Sequence, residues 1–182
     1  MRYFAVILHI VMFVTSQFTG NAQDLHPVSE QSTIQFRIKN MGIHTSGTLS
    51  GLRGTIQFDE NLLSNSFCKV TVDVNTIDTR SKGRDNHIKK SDFFDVVSFP
   101  IISFQSTQIT ALSEKIGYRM QGILTIKGVS KPISFLFQAK KEKLGYRFTG
   151  EMLINRLDFG VGESSWILSS PVTVQLNILA NQ

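Results

Sequence analysis

The sequence predicts an all-β protein, an antiparallel barrel of about eight strands with one short helix lying over it. Three observations lead there. Run after run alternates apolar and polar residues with period two, as strands with one buried and one wet face do. The runs follow one another through short turns, with none of the strand-helix rhythm of a parallel sheet. Only one long stretch, residues 78–104, breaks the alternation. A hairpin-after-hairpin meander leaves exposed edges unless it closes on itself, and this favours a barrel over a sandwich.

Taken in order, Ile34, Phe36 and Ile38 alternate with Gln35, Arg37 and Lys39. A turn at Met41 and Gly42 leads to an extended run from Thr45 to Phe58, in which Gly47, Gly51 and Gly54 permit bends. Cys68, Val70, Val72 and Val74 form the next apolar face. Within 78–104, the part from Gly83 to Phe94 suits one short amphipathic helix, and Pro100 limits where the next strand begins. Long ordered connections in compact domains are usually functional or act as lids, so this crossover is read as a lid. Ile102 and Phe104 resume the alternation. Tyr118, Met120, Gly122, Leu124 and Ile126 continue it, followed across a turn at 127–130 by Ile133, Phe135, Phe137 and Ala139. Tyr146, Phe148, Gly150, Met152 and Ile154 form another face, and Val172, Val174, Leu176 and Ile178 the last.

With 182 residues the chain fits one domain after an N-terminal leader. Arg2, the apolar run from Tyr3 to Val14, and Gly20 and Ala22 before Gln23 have the form of a secretory signal peptide. The apolar run is shorter than the ~20 residues of a membrane span, so residues 1–22 are expected to be removed and 23–182 to form the barrel. The protein is therefore expected in the periplasm or outside the cell. Loss of 1–22 takes Arg2 and no acid, leaving 18 basic and 14 acidic residues and a formal charge of +4. Cys68 is the only cysteine, which excludes an intrachain disulfide, and its place in a strand suggests a buried thiol.

About eight strands enclose a space that side chains just fill or that holds one small ligand. The inward faces are rich in aromatics, yet Gly122, Gly150 and Ala139 occupy inward positions where a filled core would want bulk. These glycines read equally well as openings or as bends. Met120 and Met152 on the same faces would adapt to an irregular guest, or simply fill the core.

Four motifs then make the chain resemble the YceI family of secreted lipocalin-like proteins. They are Thr76-Ile77-Asp78-Thr79 running into Arg84-Asp85-Asn86-His87; Asp92-Phe93-Phe94-Asp95 with Phe99-Pro100; Gly122 through Gly128 followed by Lys131; and Arg156-Leu157-Asp158-Phe159-Gly160-Val161-Gly162. The resemblance implies a barrel that holds a long amphiphile, a polyisoprenoid or isoprenoid-quinone-like lipid, in an apolar interior, and no other cofactor. The expected lining is Phe36, Ile38, Val70, Val72, Phe104, Met120, Gly122, Leu124, Phe135, Phe137, Phe148, Gly150 and Met152. Arg84, Asp85, His87, Arg156 and Asp158 are expected at the rim or lid, fixing turns in preference to touching a head group. Arg156 and Asp158 suggest an ion pair; Asp78, Arg84 and Asp85 suggest an anchor for the lid helix. Where the family has an acidic residue before the last strand, this chain has Ser169, Ser170 and Pro171. Trp166 is read as a plug for one end or as part of the mouth. A homodimer is among the assemblies the fold allows.

Other chemistries fit less well. Asp85, His87, Ser91 and Asp92 contain the groups of a hydrolase, but on a helix they do not share one face, and no strained nucleophile turn occurs. The protein is therefore not expected to be an enzyme; an enzyme acting on such a lipid, or a filled barrel serving as an interaction module, are the alternatives. His9, His26, His44 and His87 are scattered, without the paired spacing of zinc sites. The lysines near 140–143 mix with acids as a solvated turn does, so no nucleic-acid partner is expected.

Overall fold

In the computed structural model, residues 23–113 and 117–182 are described. The signal segment read at 1–22 lies outside them. Ten strand segments are present: β1 (Asp24–Pro27), β2 (Thr33–Asn40), β3 (Ile43–Leu49), β4 (Arg53–Gln57), β5 (Phe67–Asp73), β6 (Ile101–Ala111), β7 (Tyr118–Ile126), β8 (Val129–Glu142), β9 (Gly145–Asn155) and β10 (Leu168–Asn181), with one helix, α1 (Lys82–Ile88). Every pairing is antiparallel, in the order β1-β4-β5-β6-β7-β8-β9-β10-β2-β3, and β1 also pairs with β10. β1 and β2 act as two halves of one first strand and β3 and β4 as two halves of the second. The ring therefore closes with eight staves. It is the antiparallel eight-stranded barrel that the alternation predicts.

Two hairpins turn on neighbouring left-handed residues, Met41 (φ 50°) with Gly42 (φ 77°), and Lys127 (φ 50°) with Gly128 (φ 73°). Two positive φ values in a two-residue loop match the right-handed twist of the strands they join, and glycine takes the second at no steric cost.

The wall has one gap, where β4 pairs with β5 but β3 does not. The crossover 74–100 fills it. Thr48 and Asp78 form an isolated bridge with reciprocal backbone hydrogen bonds, Thr48 N to Asp78 O at 2.8 Å and Asp78 N to Thr48 O at 3.0 Å. The helix is shorter than the predicted 83–94 and ends at Ile88. Beyond it the chain winds through wide turns, with Phe94 N donating to Ile88 O and Asp95 N to Lys90 O, while Asp95 takes φ 49°. These turns, in place of a second helical turn, bring both Phe93 and Phe94 against Leu124, Ile126, Phe159 and Val161.

Two apolar clusters lie toward the ends of the barrel. At the end with the β4–β5 and β8–β9 connections, the Phe58 ring sits edge-on to Tyr118, Phe137, Tyr146 and Phe148, with centroids 5.1 to 6.2 Å away. Such edge-to-face contacts are the favoured geometry of aromatic clusters. At the other end lie the crossover and the turn 156–159.

Candidate functional site

Between the two clusters runs a cavity of about 290 Å³. A void that holds one water needs only about 10–15 Å³ of such room, so this is not a packing defect. Its wall is almost wholly apolar. Of the thirteen lining positions expected from sequence, Phe36, Ile38, Val70, Val72, Phe104, Met120, Leu124, Phe135, Phe137, Phe148, Gly150 and Met152 border it.

Gly122 does not, which corrects the sequence reading. It points inward as its parity requires, but the Phe104 ring lies across it, and a Cβ built there would stand 2.5 Å from that ring. Phe36 covers Gly47 of the neighbouring strand in the same manner. Aromatic rings lying over glycines of adjacent strands occupy space that a side chain at the glycine would otherwise take. The glycines thus help keep the centre open indirectly, by letting large rings lie along the wall.

Most polar residues on the cavity, Asn40, Thr45, Thr79, Arg84 and Arg156, gather toward the crossover end; Thr71 and Thr149 border it along β5 and β9. Thr79 is the hub of the lid. Its N–H, at 2.9 Å, and its hydroxyl donate to Asp85 Oδ1; Arg84 Nε donates to its hydroxyl at 2.8 Å and Arg84 Nη2 to its carbonyl at 2.6 Å. The Thr79 bonds, its hydroxyl foremost, hold the Asp85 carboxyl below its ordinary pKa, because they favour the charged acceptor. Asp85 thereby ties the first turn of α1 to the strand-like segment before it.

Arg156 and Asp158 do not form the ion pair suggested by sequence. Arg156 is buried, and its guanidinium donates to four backbone carbonyls: Ser169 from Nε, Val161 from Nη1, and Glu163 and Leu168 from Nη2, at 2.8 to 3.1 Å. Asp158 is exposed on the same short 3-10 turn. Ser169 and its neighbours lie in β10 where the pairing with β2 slips between Leu168 and Val172, and the slip turns carbonyls toward the guanidinium in place of a carboxylate. Burial without an anion lowers the Arg156 pKa from its usual value.

His87 points away from the cavity. Its Nε2 lies 3.2 Å from Asp92 Oδ2, both side chains are more than half exposed, and its ring stands edge-on to Phe93 at 5.1 Å. Asp85 faces the opposite way, toward Thr79, so the residues of the hydrolase constellation are divided between two separate contacts. Cys68 is a buried free thiol whose pKa is pushed up to about 12 by burial, which keeps it protonated and unreactive. Trp166 does not plug the barrel or border the cavity; it is 94% exposed, on the loop beside its crossover end that follows Gly160 and Gly162. No helix among the described residues is long and apolar enough to cross a membrane.

The model of the YceI-like domain matches residues 25–180, nearly all of the described barrel. The chain belongs to the YceI family. A UPF0312 protein of Pseudomonas paraeruginosa is 29% identical over 181 residues, 96% of this chain and 94% of its relative. Among solved structures, BcnA of Burkholderia cenocepacia superposes with a TM-score of 0.78 at 24% identity, covering 84% of this chain and 98% of the other. A domain from Saccharophagus degradans, described as polyisoprenoid-binding and implicated in plant cell wall breakdown, gives 0.65 at 14% identity, covering 86% and 97%. At such identities these two likenesses speak for the YceI fold. Arg84 and Asp85 of the first motif and Arg156 of the last, expected at the rim or lid, lie at one end of the barrel, together with Thr79, which was not among the expected site residues.

Proposed function

We propose that the protein holds a long amphiphilic lipid, polyisoprenoid or isoprenoid-quinone-like, with its apolar chain in the barrel and its polar head toward the crossover end. The observation that supports this best is the cavity's asymmetry: aromatic side chains gathered around Phe58 at one end, and both of its charged side chains, Arg84 and Arg156, at the crossover end. Its volume sits near the lower bound of pockets that hold small ligands, roughly 300 to 1,000 Å³. A longer chain would be admitted by movement of Met120 and Met152, whose unbranched side chains repack at low cost. The Saccharophagus domain's description as polyisoprenoid-binding lends support from the fold alone. The protein acts as a carrier and not as an enzyme, in the periplasm or outside the cell after removal of residues 1–22.

Organic-solvent extraction of the purified, exported protein followed by mass spectrometry tests the binding. A stoichiometric isoprenoid lipid is the expected result; an empty extract from protein never exposed to detergent would contradict it. Intact mass of the same preparation should begin at Gln23. An isoprenoid-modifying activity abolished by His87→Ala would replace the carrier reading with an enzyme.

A further inference from the structure

Around the open end of the barrel the structure exposes a set of large apolar side chains that the interior does not use. Met41 and Ile43, at the tip of the β2–β3 hairpin, are each 72% exposed, and Trp166 is 94% exposed. Met41 N donates to Ile167 O at 2.7 Å, tying the hairpin tip to the Trp166 loop so that the two present one surface. Ile167 is itself exposed. The surface adjoins the cavity directly: Asn40, paired with Ile43, and Leu168, next to Ile167, both line it. Soluble proteins place single apolar residues on their surface freely, but a contiguous group around the mouth of an apolar cavity marks a contact site.

We infer that this rim docks on the surface of an anionic lipid bilayer, placing the mouth of the barrel at the head-group level. The partner follows from chemistry on both sides of the patch. Lys39 and His44 face outward opposite one another, one pair below the tip, and Arg80 and Lys82 are exposed on the crossover that bridges β3 at Thr48. Of the acids on these segments, Asp78 gives a carboxylate oxygen to Arg80 N, Asp85 is held by Thr79, and Asp92, Asp158 and Glu163 are exposed on the neighbouring turns, farther along the crossover and the β9–β10 connection. An apolar tip with the exposed cations Lys39, Arg80 and Lys82 beside it complements an anionic leaflet, where cations gain from the surface potential and tryptophan favours the interface. The inference rests on the carrier reading above only for its purpose: a lipid insoluble in water must enter from a membrane, and the mouth is where it would pass.

Trp166 is the chain's only tryptophan and reports the contact directly. The full chain, expressed with its own leader and recovered in soluble form, is mixed with vesicles of phosphatidylglycerol and phosphatidylethanolamine, and with phosphatidylcholine vesicles as the neutral comparison. The expected result is a blue shift of Trp166 emission and sedimentation with the anionic vesicles, weakened by salt and in Lys39→Glu/Arg80→Glu. Met41→Ser/Ile43→Ser should bind them roughly tenfold less tightly or worse. These surface variants should keep the parent's thermal midpoint, showing that folding is intact. Binding by a retained leader would persist in the variants and would overturn the inference, as would absence of binding by the parent. Binding to itself, seen as a concentration-dependent sedimentation coefficient lost in the same variants without vesicle contact, would assign the patch to a second copy and overturn it too. Lipid recovered by solvent extraction from a parent that ignores vesicles refutes docking alone; vesicle binding by a parent that never yields lipid refutes the carrier reading alone.

Discussion

Arg156 has a large local consequence, because four carbonyl oxygens depend on it, two in the β9–β10 connection and two at the start of β10. Arg156→Met keeps the volume but leaves those acceptors without their donor, and buried unsatisfied polar groups are costly. Urea unfolding should show a loss of roughly 2–4 kcal/mol. Arg156→Lys should recover only part of it, since one ammonium cannot reach four acceptors spread around a planar fork. Asp85 gives a different signature. Its folded pKa is lowered, so its contribution is present above the ordinary carboxylate pKa of about 3.9 and disappears as pH falls through the lower folded value. The stability gap between Asp85→Asn and the parent should therefore be full at pH 7 and close only below about pH 4. A gap unchanged at pH 3 would show that the Thr79 contact does not depend on the charge. Sequence alone paired Arg156 with Asp158 because they stand two apart in one motif. The 3-10 turn buries one and exposes the other, and no residue pattern within the motif announces that.

At the scale of elements, the strands with unbroken alternation were legible, and the misreadings have local causes. β1 was missed because only Leu25 of its four residues is buried, too little for a periodic signal, although it pairs with both β4 and β10. β6 was read only at Ile102 and Phe104 because its pairing with β7 slips between Ser106 and Gln108, which moves the buried face to Ile109. The helix was read too long because Phe93 and Phe94 look like a continuation of an apolar stripe, whereas turns present them. The lid's attachment outside the helix gives a prediction of its own. Lys127 Nζ donates to Ser91 O at 2.8 Å and to Gly160 O at 2.9 Å, joining the crossover, the β7–β8 turn and the β9–β10 turn. Lys127→Met should leave the barrel strands intact but loosen this corner. Amide exchange of Gly162, whose N–H bonds Asp92 O at 3.0 Å, should accelerate while that of β9 and β10 does not. Equal acceleration throughout would mean that the corner opens only with global unfolding.

For the whole molecule, sequence parity placed twelve of the thirteen named positions on the cavity wall but could not establish that a cavity exists, because parity gives direction and not depth. Whether opposing side chains meet across a barrel depends on where large rings lie, and here Phe36 and Phe104 lie over glycines. This also decides how to test the cavity. Gly150 borders it, but a Cβ there would stand 2.9 Å from Leu136 O, a backbone atom that cannot easily yield. Gly150→Ala should therefore destabilise by itself, by about 1–3 kcal/mol, and a larger residue at 150 would confound strain with filling. Val70 on β5 and Val174 on β10 line the cavity from different walls without that constraint. In each, valine to phenylalanine adds apolar volume to empty space, and contacts restored across a void offset the rearrangement. Measurements must use protein stripped of lipid, since a ligand that binds only the folded state raises stability by mass action. Stripped Val70→Phe and Val174→Phe should unfold at urea midpoints equal to or above the parent's, and both should yield less extractable lipid. A loss of roughly 1–3 kcal/mol in both would mean that the interior is already packed to normal density, and the barrel would then have no room for a guest.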